Sequence, residues 1–98
     1  MSARPMQARV LEIVNRRGLH ARASAKFVET VEAHDAVARV RRDDRSDGQW
    51  VGGDSIMGLL MLAAHKGARI GIETDGPEAV QLLDALEALI AGGFGEEG

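Results

Sequence analysis

The chain has 98 residues, of which 45% are hydrophobic and 28% charged, with a net charge of −3 and no cysteine. A chain of this length supports one domain with one core, and no apolar run approaches the ~20 residues needed to cross a bilayer. Its acidity argues against general nucleic-acid binding. With only Phe27, Trp50 and Phe94 aromatic and only His20, His34 and His65 as imidazoles, neither a stacking platform for single strands nor a familiar structural zinc site can be assembled. The opening "MSARPMQARV" lacks the ~7–15 apolar residues of a secretory signal core, so a cytoplasmic location away from membranes is expected. Charge is unevenly spread: residues 1–50 carry ten Lys and Arg against seven Asp and Glu, and residues 51–98 carry two against eight.

In chain order, the aliphatic "MQARVLEIV" predicts a strand at about 8–14 that stops at the polar "NRRG". The period then changes: Ala21, Ala25, Val28 and Val31 share one helical face, and the helix should end near Ala33 or His34. "AVARV" at 36–40 reads as a second strand, "RRDDRSDG" at 41–48 as a polar hairpin turn, and "QWVGG" at 49–53 as a short third strand. Asp54 and Ser55 are good N-caps for a helix of about ten residues in "IMGLLMLAAHKG", closed by Gly67. "ARIGIET" at 68–74 alternates, with Ala68, Ile70 and Ile72 on one face and Arg69, Gly71 and Glu73 on the other. "DGPEAVQLLDALEALI" predicts a last helix with Pro77 at its first position and an apolar stripe through Ala79, Leu82, Leu83, Leu86, Leu89 and Ile90. The glycine-rich, acidic "AGGFGEEG" is expected to fray. The order β-α-β-β-α-β-α, with helices that each have one apolar face, packs economically as a two-layer sandwich with one sheet face open.

Three features invite a functional reading. In "NRRGLHARASAKFV", His20 stands where a loop becomes a helix, with Arg16, Arg17 and Arg22 around it. Unsatisfied N–H groups and the positive dipole end of a helix favour an anion there, guanidinium forks grip phosphate oxygens, and a neutral imidazole nitrogen is a nucleophile. The competing reading is a capping histidine among solvated arginines. The segment at 56–64 is apolar nearly all round: Ile56, Leu59, Leu60 and Ala63 form one stripe, and Met57, Met61 and Ala64 another. Either one stripe is a docking patch, for which adaptable methionine is suited, or both are buried. Ser55 reads as an N-cap, and a phosphate on it would change charge beside that apolar surface.

Taken together these segments resemble the HPr family of phosphocarrier proteins from the bacterial phosphotransferase system. "GLHARASAKFV" is similar to the family's Gly-Leu-His-Ala-Arg-Pro-Ala stretch, and "DSIMGLLMLAAHKGARIGI" to its Lys-Ser-Ile-Met-Gly signature with the apolar helix that follows. The resemblance covers about residues 8–91 in order and spacing.

It implies an α+β open-faced sandwich of four antiparallel strands with three helices on one face, in a single domain over 1–98 with a flexible tail at 92–98. It implies no enzyme with turnover of its own and no cofactor or metal. The carrier, expected as a monomer, takes a phosphoryl group from phosphorylated enzyme I on His20 and passes it to a histidine of an enzyme IIA protein. Arg22 matches the family's active-site arginine, Arg17 is auxiliary, and Met57, Leu59 and Leu60 correspond to the docking surface for partners. Ser55 matches the serine modified by an HPr kinase/phosphorylase.

The alternative is a regulatory binding module switched by phosphorylation at His20 or Ser55. Two departures stand out: Ala23 replaces the usual proline, which should loosen the helix start, and Asp54 precedes Ser55 where a basic or neutral residue is usual. The "NRRGLHAR" loop is more similar to the nitrogen-related branch than to the sugar-uptake branch.

Overall fold

The computed structural model describes residues 6–96. The elements run β1 (Gln7–Glu12), α1 (Ala21–Glu32), β2 (Val37–Arg42), β3 (Val51–Gly52), α2 (Ile56–Met61), β4 (Arg69–Asp75) and α3 (Ala79–Ala91), with a short 3₁₀ turn at Gly93–Gly95. Every pairing is antiparallel and the spatial order is β1-β4-β2-β3. The last strand in sequence is therefore a central one, flanked by β1 from Gln7↔Thr74 to Glu12↔Arg69 and by β2 from Val37↔Asp75 to Arg42↔Ile70.

Alternation decides which face is covered. Ile70, Ile72 and Val40 point inward and meet Phe27 and Val31 of α1, Leu59 of α2, and Leu82, Leu83, Leu86 and Ile90 of α3 in one core. Each large side chain so buried contributes roughly 1.5–3 kcal/mol. Val10, Val37, Arg39 and Arg41 face outward from the uncovered side, where the guanidinium groups of Arg39 and Arg41 lie 4.3 and 4.8 Å from the centre of the Trp50 ring. The expected open-faced sandwich of four antiparallel strands and three helices is the fold observed.

Several boundaries differ from the sequence reading, and buried polar contacts explain them. β2 continues through Arg42, which the sequence places in a polar turn, because the buried guanidinium is neutralised where it lies: Nε donates to Asp44 Oδ1 at 2.8 Å and Nη2 to Asp44 Oδ2 at 3.1 Å. Its Nη1 also donates to the carbonyls of Leu62 and Ala63, at 3.2 and 3.1 Å. Those are carbonyls that helix α2 would otherwise use to continue. The helix accordingly stops at Met61 after six residues, tightens into i to i+3 bonds, and turns through Ala63 at φ 51°. Gly67 lies beyond that end and donates its N–H to Ile13 O at 2.7 Å.

Pro77 precedes α3 by two residues instead of opening it. The N-cap is Glu78, held through its N–H on Asp35 O at 2.9 Å and its carboxylate on Asp35 N–H at 2.7 Å. The start of α1 is formed without proline at position 23: Ala23 is buried and Ser24 N–H bonds His20 O at 2.8 Å.

The tail departs most from expectation. Phe94, in the glycine-rich stretch expected to fray, is 1% exposed and belongs to the core. Gly93, Phe94 and Gly95 all have left-handed φ, at 63°, 58° and 75°, and this run reverses the chain after α3. A left-handed phenylalanine costs about 1–2 kcal/mol, which is offset by burial of its ring. Residues 97–98 of the expected tail lie outside the described residues.

Phe94→Ala is expected to lower stability by roughly 3 kcal/mol, read by chemical denaturation. The Arg42 guanidinium beside Asp44 holds its carboxyl well below the usual aspartate range. A depressed carboxyl contributes stability that is full above its unfolded value, 3.8, and is lost as pH falls below that value. Asp44→Asn should therefore be less stable than the parent near neutrality, with the difference shrinking on acidification in urea titrations run from pH 6 to pH ~2.

Candidate functional site

The loop before α1 is pinned from beneath. Gly18 has φ +67°, and a Cβ on it would stand 2.5 Å from Ala64 O, so only glycine lets the two backbones approach. Leu19 then donates its N–H to that same Ala64 O at 2.9 Å, and Ser24 Oγ donates back to Leu19 O at 3.2 Å. The next residue, His20, is left as the N-cap of α1 in extended conformation.

Its ring is used at both nitrogens. Nδ1 accepts from the backbone N–H of Arg22 at 3.2 Å, and Nε2 meets the carboxylate Oε2 of Glu96. An amide N–H can only donate, so Nδ1 presents its lone pair and the neutral ring carries its proton on Nε2, toward Glu96. The capping reading of His20 and the reactive reading thus describe one geometry: the helix terminus that the ring caps is also an anion site.

Around the ring lies an open cleft of about 390 Å³ lined by Arg16, Arg17, Arg22, Lys26, Gly95 and Glu96 as well as His20. Four cationic side chains face one carboxylate. Glu96 Oε1 accepts from Asn15 Nδ2 at 2.9 Å, and the same nitrogen donates to Gly18 O at 2.8 Å. With two acceptors on that side the Asn15 amide cannot be flipped, although its Oδ1 is buried without a partner. The Asn15 amide, then the His20 ring and the charge of Arg17, hold the Glu96 carboxyl below its ordinary value against the opposing effect of burial. Lys26 Nζ donates to Phe94 O at 2.6 Å and ties the last turn to α1.

Of the residues expected to carry function, His20, Arg22, Arg17 and Arg16 are brought together. Ser55 is not among the cleft's lining residues; its hydroxyl caps α2, accepting Gly58 N–H at 3.0 Å. Along α2, Met57 is 69% and Met61 77% exposed, with Ile56 and Leu60 partly so. Leu59, expected on a docking surface, is instead fully buried against the core, because a helix lying on a sheet must spend one stripe inward. The sequence reading missed Glu96, Asn15 and Lys26 as site residues. The available signal was Phe94 between Gly93 and Gly95, an aromatic side chain flanked by two residues that tolerate left-handed backbone.

Among the described residues no helix is long and apolar enough to cross a membrane. A family model described as the PTS HPr component phosphorylation site matches residues 7–92. The phosphocarrier protein HPr of Neisseria meningitidis serogroup A is 48% identical over 86 residues, 88% of this chain and 92% of the relative. The phosphocarrier protein NPr of Klebsiella oxytoca is 39% identical over 89% of this chain and 93% of the relative, an ordering that does not favour the nitrogen-related branch. The crystal structure of an HPr from Thermoanaerobacter tengcongensis superposes with a TM-score of 0.83 at 33% identity, over 94% of this chain and 99% of that one. These relatives are phosphocarriers by name, which does not favour the binding-module alternative. With sequence and fold agreeing over nearly the whole chain, the protein belongs to the HPr family of histidine phosphocarriers of the phosphotransferase system.

Proposed function

We propose that His20 is the phosphoryl acceptor, that it is loaded by phosphorylated enzyme I, and that it passes the group to a histidine of an enzyme IIA protein in the cytoplasm. The observation that carries this reading is the N-cap geometry, in which Nδ1 offers a lone pair at the mouth of a helix terminus ringed by arginines. The Arg22 N–H gives up the Nδ1 lone pair, which forms the new N–P bond while the bond from phosphorus to the donor breaks and its electron pair returns to the donor; the freed N–H is then available to a phosphoryl oxygen. No proton need leave His20, because Nδ1 carries none.

Arg22 supplies a planar fork to the oxygens of the transferring group, and Arg17 with Arg16 adds field around them. The helix N–H groups accept the charge without enclosing it, which suits a carrier that must release its cargo. Tight capture would stabilise the loaded state and slow onward transfer. The chain acts as a monomer that other proteins load and unload, in a single domain.

Partners dock on the exposed side of α2, through Met57 and Leu60, with Met61 beside them. Ser55 is the place for modification by an HPr kinase/phosphorylase. A phosphate there would put charge next to Met57 and Ile56 while leaving oxygens for the Gly58 N–H.

Incubation with enzyme I, Mg²⁺ and labelled phosphoenolpyruvate should give stoichiometric, acid-labile label that maps to His20 and is absent from His20→Ala. No label, with an enzyme I competent on another carrier, would sink the reading. Arg22→Lys should still bind phosphorylated enzyme I but accept phosphate about tenfold more slowly, since a point charge replaces the fork. Equal single-turnover rates would remove Arg22 from the mechanism.

A further inference from the structure

The phosphoryl-acceptor reading accounts for one nitrogen of His20 and the cations of the cleft, but gives no task to the carboxylate on the other nitrogen. We propose that Glu96 is a positioning residue for phosphoryl transfer. Its carboxylate accepts the Nε2–H of His20, keeps the Nδ1 lone pair turned toward the cleft, and balances the positive charge that the ring acquires as the Nδ1–P bond forms. The proposal rests on His20 being the acceptor.

The carboxylate matters more during transfer than before it, because the ring gains charge as the bond forms. A neutral ring that attacks through Nδ1 while retaining the Nε2 proton becomes an imidazolium bearing a phosphoryl group. The proton stays on Nε2 throughout; what changes is the ring's charge. A hydrogen bond from Nε2–H to a carboxylate strengthens as that charge develops, so it stabilises the transition state more than the ground state. The arrangement has the logic of a carboxylate that orients a histidine and supports its imidazolium without taking the proton. Glu96 serves the nitrogen that phosphorus does not occupy, leaving the Nδ1 side to Arg22 N–H and the arginines.

The carboxylate is held in place by its surroundings. Asn15, 3% exposed, holds Glu96 Oε1 with an amide already fixed by Gly18 O, and does so with its own Oδ1 left unpaired. Such an unmet buried acceptor is a cost that a merely solvated tail would not impose. Phe94 anchors the preceding turn in the core, Lys26 binds its carbonyl, and the left-handed run through Gly95 delivers Glu96 to the ring. Two segments far apart in the chain thus meet at His20: the loop after β1 and the turn after α3.

The test compares the parent protein with Glu96→Ala and Glu96→Gln, which leave Phe94 and its packing intact. Nitrogen-15 NMR of the imidazole reads the contact without any phosphoryl transfer. The parent should show an Nε2–H proton protected from exchange with water, lost in Glu96→Ala and partly restored in Glu96→Gln. Single-turnover transfer from phosphorylated enzyme I should fall about tenfold in Glu96→Ala, the low end of what removing the partner of a working imidazole costs. Glu96→Gln, which can still accept the hydrogen bond but carries no charge, should fall in between. A Glu96→Ala protein that transfers at the parent rate or faster would overturn the proposal and leave the acceptor role of His20 standing. Failure of the parent itself to take label would overturn that role instead.

Discussion

The contact between Gly18 and Ala64 sets the position of the His20 ring and of the cleft around it. A glycine at φ +67° allows the loop after β1 to press against the carbonyl that follows α2, and Leu19 N–H then bonds that carbonyl at 2.9 Å. The next residue has no choice but to start a helix with its side chain at the terminus. His20 is therefore placed by backbone geometry, and its chemistry follows from being an N-cap. The carbonyl at Ala64 is available because α2 ends early, and α2 ends early because Arg42 takes the carbonyls of Leu62 and Ala63. A buried arginine on a strand thus contributes to the site by terminating a helix on the other side of the core.

The same economy shows in how the cleft is lined. Four cations, Arg16, Arg17, Arg22 and Lys26, drawn from the loop and the first turns of α1, line the cleft around His20. The opposing carboxylate arrives from the far end of the sequence, on a turn that costs left-handed backbone at a phenylalanine and is repaid in burial. The central position of β4 makes this possible. With the last strand between the first and second, α3 runs back across the sheet and ends near the loop that follows β1, where Asn15 meets Glu96.

Much of this was legible in the residues. Apolar periodicity locates α1 and α3, clean alternation locates β4, and the His20, Arg22 pair stands out at a loop-to-helix transition, where residues alone leave a capping and a reactive reading both open. What failed to show had a common cause: polar side chains whose partners lie far along the chain. Arg42 looks like part of a solvated turn until Asp44 neutralises it and the carbonyls of Leu62 and Ala63 accept its N–H groups, and the sequence reading ends β2 too early for that reason. Leu59 and Met57 carry the same local signal, and only the angle at which α2 lies on the core separates a buried stripe from an exposed one. The tail reads as frayed because glycine and acid usually mean disorder. Here the glycines are required by a backbone conformation and the acid by a histidine 76 residues away.

The uncovered face of the sheet carries the chain's single tryptophan, with the guanidinium groups of Arg39 and Arg41 lying 4.3 and 4.8 Å from its ring centre. His20 and the exposed methionines of α2 belong to the opposite layer, with the core between. Trp50 fluorescence is consequently a built-in reporter of the uncovered face of the sheet. Its emission therefore reads unfolding of the sheet from a single site on the open face.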